Sequence, residues 1–201
     1  AYVKAIAVHH TDTRNIKKPM DEVVRSIYYF HSVVRQWWDI WYNYLIWTDW
    51  KIYEWRLWWD YSVWAHAVYN NRTTTSVSLI WEYNTHNISN SQFSSLNYMI
   101  GYLSNKYGIN LNKKYHFHKE CKELHWKKCK LDVETDILFP LIWHRDAWLT
   151  SCPWINVYKN LWEFRLSNLK KSLNYKPIFN DVNLNSMFEE KFNLIDDLLS
   201  K

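Results

Sequence analysis

At 201 residues the chain is long enough for one domain with a sizeable core and a short appended segment. It holds no run of about 18 apolar residues, which excludes a conventional transmembrane helix. Its opening, AYVKAIAVHH, lacks the basic start and cleavage site of a signal peptide and reads as a mature protein or an excised domain, while the net charge of +5 reads as a solvated basic surface and not as a nucleic-acid footprint.

In chain order, Val3 to His10 alternates, is rich in small apolar residues, and predicts a buried strand ending in His9-His10-Thr11. After Lys17-Lys18-Pro19, residues 20–36 predict a helix with Val23, Val24, Ile27, Phe30, His31 and Val34 on one face. Strands are expected at about 42–47 and 51–55, joined by a turn at Thr48-Asp49-Trp50-Lys51, and again from Ser76 to Tyr83. A second helix is expected over 91–107, with Phe93, Leu96, Ile100, Leu103 and Tyr107 as its stripe, Asn90 or Ser91 as its cap and Gly108 as its left-handed stop. Residues 110–136 are polar and read as a surface insertion; a short strand at about 137–143 leads into His144, and a helix runs from near Asn156 toward Leu173. Beyond Pro177 the chain is polar with a weak helical pattern at 186–199. The division is therefore 1–165 as the domain and 166–201 as a helical tail or linker.

The composition carries one anomaly: 15 Trp against 2 Gly, where glycine ordinarily makes up about 7% of residues. The tryptophans stand where turns call for glycine, as at Trp50 and at the polar-loop pair Trp58-Trp59. We read most of them as glycines of the natural protein, written as tryptophan because a UGA codon that some bacterial lineages use for glycine was translated with a UGA-to-tryptophan table. The Asn-, Lys-, Ile- and Tyr-rich composition of an AT-rich gene agrees with this.

The chemistry-bearing residues are His9 and His10 at the end of a strand, then His144-Arg145-Asp146 and Ser151-Cys152-Pro153 framing a short loop. Two imidazoles and a thiolate with a fourth position open to water make a plausible catalytic zinc set. On spacing alone, the alternative that each of these residues is structural stays open. Cys121 and Cys129 could close a disulfide, remain free thiols, or join His116, His118 and His125 in a second metal site.

With the suspect tryptophans read as glycine, residues 35–56 become RQWGDIGYNYLIGTDGKIYEGR, 63–66 become VGAH and 143–154 become GHRDAGLTSCPG. Together with the opening HHT, this ordered series resembles the N-acetylmuramoyl-L-alanine amidase family, the zinc amidases related to phage endolysins and peptidoglycan recognition proteins, over about residues 3–165. The resemblance implies an α/β fold with a central mixed β-sheet flanked by helices in a single domain. It implies Zn2+ on His9, His144 and Cys152, with His10 in a supporting role. Tyr42 and Thr150 would act in catalysis as oxyanion partners, and His66, Asn43 and Arg72 would contact substrate. Ser78 falls where some relatives carry a glutamate base, which leaves Glu82 as a remote candidate for that role. The substrate implied is the amide between N-acetylmuramic acid and the L-alanine of peptidoglycan, cleaved by a monomer at an extracellular, periplasmic or cell-envelope location. A non-catalytic peptidoglycan-binding module is the alternative, and relatives that only bind typically lack the cysteine ligand.

Overall fold

The structure, a computed structural model, describes residues 3–14, 18–37, 39–55, 66–67, 70–120, 133–148, 150–160 and 163–164. The expectations for Trp58-Trp59, Cys121, His125, Cys129 and the segment from 166 onward lie outside these residues.

In chain order the elements are β1 (Ala5–His10), α1 (Met20–Tyr29), β2 (Tyr44–Ile46), β3 (Ile52–Glu54), β4 (Thr74–Leu79), α2 (Asn90–Tyr107), β5 (Tyr115–Glu120), β6 (Val133–Leu138), β7 (Leu141–Trp143), α3 (His144–Ala147) and α4 (Ile155–Tyr158). The main sheet has the order β3-β2-β4-β1-β7. Strands β2, β4, β1 and β7 run parallel, and β3 returns antiparallel to β2. Every residue of β1 and β4 is buried, as expected for central parallel strands covered on both faces.

The two faces differ in chemistry. Ile6, Val8, Val77 and Leu79 pack with Tyr44 and Ile46 against Leu96, Met99, Ile100 and Leu103 of α2. On β1, the alternate residues Ala5 and Ala7 pack with Phe117, Ile142 and Ala147, while Leu45 packs with Val23, Val24 and Ile27 of α1. Period-two alternation places His9 in line with Ala5 and Ala7, and Thr74 in line with Ser76 and Ser78. The middle of that face is thus built of small side chains, and bulkier groups can lie over it.

Strand β4 lies earlier than expected, at 74–79 and not 76–83, and three other differences from expectation have a clear physical origin. Helix α1 ends at Tyr29 and passes into a π-helical stretch, Phe30–Val34, in which the Arg35 N–H reaches the Phe30 carbonyl at 2.9 Å. The extra residue per turn rotates the apolar stripe, so His31 stays buried while Phe30 and Val34 turn outward at 48% and 56% exposure. Helix α2 starts one residue early, because Ser89 is the cap and its side chain accepts from the Gln92 N–H. Strand β6 pairs antiparallel with β5, so residues 115–120 and 133–136 of the expected insertion form regular structure, and the strand expected at 137–143 is divided between the end of β6 and β7.

Gly108 closes α2 at φ 63°, with the Ile109 N–H bonded to the Ser104 carbonyl at 2.8 Å. A Cβ there would meet nothing within 4 Å, so the demand for glycine is conformational. Of the five non-glycine residues at positive φ among those described, three are tryptophan: Trp50 at 76°, Trp81 at 138° and Trp154 at 70°. Trp143 differs, since it is fully buried in the α2-side core with an ordinary φ of −93°.

His31 is expected to make the fold sensitive to pH. Its Nδ1 accepts from the Trp41 N–H at 3.3 Å. Burial, opposed by Asp39, pushes its pKa down from 6.5 to about 4. The unfolded chain therefore binds the proton more readily, and stability falls as pH drops from about 6.5 toward about 4. Urea unfolding should show a loss on the order of 1–2 kcal/mol from this group between pH 7.5 and 5. The His31→Phe variant should show a correspondingly shallower pH dependence; an identical one would remove His31 as the cause.

Candidate metal centre

The parallel pairing of β1 with β7 aligns Val8 with Trp143. The next residues, His9 and His144, therefore emerge together at the carboxyl ends of adjacent strands, where open α/β sheets place their sites. Their ring centroids are 4.5 Å apart. Asp146 caps the start of α3, its carboxylate accepting from the Trp143 N–H at 2.9 Å and from the Tyr158 hydroxyl at 3.3 Å. The loop after α3 folds back so that the Arg145 N–H bonds the Cys152 carbonyl at 3.0 Å. Thr150 Oγ1 accepts from the Cys152 N–H at 3.2 Å. These bonds bring the thiol to the two imidazoles: donor atoms of His9, His144 and Cys152 all lie within 4.8 Å of one another.

This donor set fits zinc. Two nitrogens and a sulfur suit it, and a tetrahedral ion with bonds of about 2.0–2.3 Å holds its donors about 3.3–3.7 Å apart, so the three would draw in by up to about 1.5 Å to close on it. Burial, with His144, His66 and His10 nearby, holds the His9 pKa well below 6.5. Burial, reinforced by His10, takes His144 to about 4. Both rings are thus neutral near pH 7 and keep a lone pair. In the metal-free protein, burial pushes the Cys152 thiol up to about 12, although the His10 N–H opposes this. A bound cation would reverse that balance, because coordination deprotonates a thiol.

A second layer of side chains surrounds the three. His10 approaches Cys152 Sγ with both its backbone N–H, at 3.4 Å, and its ring Nδ1, at 3.0 Å. The other ring nitrogen lies 3.3 Å from Asp12 but outside hydrogen-bond alignment. His66 Nδ1 lies 3.2 Å from His9 Nε2. The Tyr42 ring sits 5.3 Å from the His9 ring, and its hydroxyl donates to the His10 carbonyl at 3.4 Å. Burial, then the Cys152 charge, raises the Tyr42 pKa, while Ser78 opposes the rise; the phenol remains a donor.

Comparison with known proteins gives this arrangement a family. The family described as N-acetylmuramoyl-L-alanine amidase matches residues 1–152, three-quarters of the chain. The chain belongs to that amidase family. Its fold is shared with the amidase LysC from Clostridium intestinale, at 24% identity and a TM-score of 0.56, covering 87% of each chain. It is also shared with Drosophila PGRP-LB, at 20% identity and a TM-score of 0.55, covering 90% of this chain and 86% of that one. A third likeness is to peptidoglycan recognition protein LE, solved in complex with tracheal cytotoxin, at 22% identity and a TM-score of 0.60, covering 81% and 80%. Curated protein sequences gave no match.

Within this amidase-family chain the remaining sequence-derived candidates are placed unevenly. Tyr42 and Thr150 stand at the cluster, as described. His66 is buried against His9 at 3% exposure, and Ser78, in register with His9, lies buried beneath the site. Asn43 is engaged with β4: its Oδ1 accepts from the Ser76 N–H at 2.9 Å and from the Ser76 hydroxyl at 2.8 Å. Arg72 is exposed on the turn before β4. The Glu82 carboxylate accepts from the Asn84 N–H and from the Thr85 hydroxyl, the latter at 3.3 Å. Sequence reasoning did not single out Thr74, although it shares a face with Ser76 and Ser78 and therefore with His9. That parity was the available signal.

Proposed function

We propose that the protein is a zinc-dependent amidase that hydrolyses the bond between N-acetylmuramic acid and the L-alanine of peptidoglycan stem peptides, and that it acts in the cell envelope or outside the cell. The observation that carries this reading is the convergence of His9, His144 and Cys152, from β1, α3 and the loop beyond it, on one cluster in which His9 and Cys152 are buried and His144 is partly so. A zinc ion held there would supply Lewis acidity to polarise the scissile carbonyl and ease deprotonation of water.

The chain's own residues supply the rest. The Tyr42 hydroxyl, protonated beside the cluster, can turn its one hydrogen from the His10 carbonyl, where the bond is long at 3.4 Å, to oxygen charge that develops on the scissile carbonyl. Thr150 uses Oγ1 as an acceptor for the Cys152 N–H, so its hydroxyl hydrogen is directed to an acceptor elsewhere, a second donor for that charge. The neutral imidazoles each keep one lone pair for a cation. Asn43 and Arg72 are the proposed substrate-side residues, and of these Arg72 presents its charge to solvent, whereas His66 is buried against His9.

Zinc-loaded protein incubated with purified sacculi should release free stem peptides and expose L-alanine amino termini, measured by amino-group labelling and mass spectrometry. Retained sacculus binding with no released peptide would overturn the hydrolase reading and favour a recognition module.

A further inference from the structure

A chain of buried hydrogen bonds leads away from His9, and its direction follows from its far end. The Thr74 hydroxyl lies 2.8 Å from the Asn70 carbonyl, which can only accept, so Thr74 donates there. With its one hydrogen committed, Thr74 Oγ1 must accept from His66 Nε2, 3.3 Å away. The neutral His66 ring then carries its proton on Nε2 and presents a bare Nδ1. His9 Nε2, 3.2 Å from that Nδ1, must in turn be the donor. The His9 lone pair is left on Nδ1.

We propose that His66, backed by Thr74 and the Asn70 carbonyl, is a positioning residue that fixes the tautomer and ring orientation of His9 and makes Nδ1 its metal-donating atom. This rests on the zinc reading above, and it gives His66 a role different from substrate contact. All four members are buried, with exposures of 1% for His9, 3% for His66, 2% for Asn70 and 6% for Thr74, so solvent is a poor substitute for any of them. A ligand imidazole without such a partner populates both tautomers and both ring flips, and only a fraction of the molecules then present the correct nitrogen. The chain also ties the metal ligand to the turn preceding β4, where the Thr73 N–H bonds the same Asn70 carbonyl at 3.0 Å.

The test uses histidine labelled with 15N and long-range proton–nitrogen correlation spectra of the metal-free protein, alongside zinc affinity from chelator competition. The parent should show His9 protonated at Nε2. In His66→Phe that preference should be lost and the zinc Kd should rise about 10- to 100-fold. His66→Asn, which can offer an acceptor oxygen where Nδ1 stood, should recover most of the affinity. Thr74→Val leaves the ring and the residue-74 carbonyl in place but removes the hydroxyl acceptor, so the tautomer preference of both rings should weaken; it also serves should His66→Phe fail to fold. Parent-like affinity in His66→Phe, or His9 protonated at Nδ1 in the parent, overturns the proposal. If the parent takes up no zinc, the metal reading fails, and the His9 tautomer in the parent and variant spectra still decides the role of His66.

Discussion

Replacing Cys152 with Ser is expected to reduce peptide release from sacculi by at least about a hundredfold, more than the 10- to 100-fold typical for loss of a partner outside the ligand set. A serine hydroxyl is a far weaker zinc donor than a thiolate, and two imidazoles alone leave the ion with too few protein ligands. The fold should survive, because a Ser hydroxyl can still accept from the His10 N–H, now 3.4 Å from Sγ, and can pair in either direction with His10 Nδ1, now 3.0 Å from it. Zinc affinity should fall in parallel, while sacculus binding and the thermal transition of the metal-free protein should stay close to the parent. Undiminished hydrolysis by Cys152→Ser would exclude the thiol as a ligand. A loss of activity accompanied by unchanged zinc affinity would place its role elsewhere.

The second large effect concerns the tryptophans, where the structure predicts opposite signs at different positions. Trp50 holds φ at 76° in the β2–β3 turn and is 64% exposed. A left-handed conformation costs a residue with a Cβ roughly 1–2 kcal/mol, and little packing is lost on removing an exposed indole. Trp50→Gly should therefore stabilise the chain by about 1 kcal/mol, raising Tm by about 2–4 °C. Trp143→Gly should do the reverse and cost at least about 3–5 kcal/mol, since it empties a fully buried position packed near Tyr158 and Phe164. Thermal melts of the two single variants measure both. The codons give a separate check: UGA at Trp50, Trp81 and Trp154 is the expected reading, and UGG at all three would end the glycine explanation.

These cases show what a sequence can reveal here and what it cannot. The central strands were legible because unbroken burial and small apolar residues leave few alternatives to a parallel core, and the ligand set was legible because its members sit in short ordered motifs. The π-helical turn after Tyr29 was not, since it changes which residues face inward without changing their apolar spacing. The β5–β6 pairing was hidden by its polar composition. The relay from His9 to Asn70 was hidden for a different reason: it joins residues from β1, the 66–67 segment and the turn before β4, and only the tertiary pairing of β1 with β4 brings them together. The commitment of Asn43 to Ser76 is likewise a product of strand register.

The ligand positions also have a mechanical side. His9 is the penultimate residue of β1, and His144 and Cys152 follow β7, the last strand among the described residues, so an ion bound to all three would act as a clasp between the two ends of the segment matched by the amidase family. Binding to the folded state alone stabilises it by RT ln(1 + [L]/Kd), and this clasp can form only when β1 and β7 are side by side. Resistance to heat should then track free zinc, and a chelator should loosen the sheet at the edge where β7 joins it.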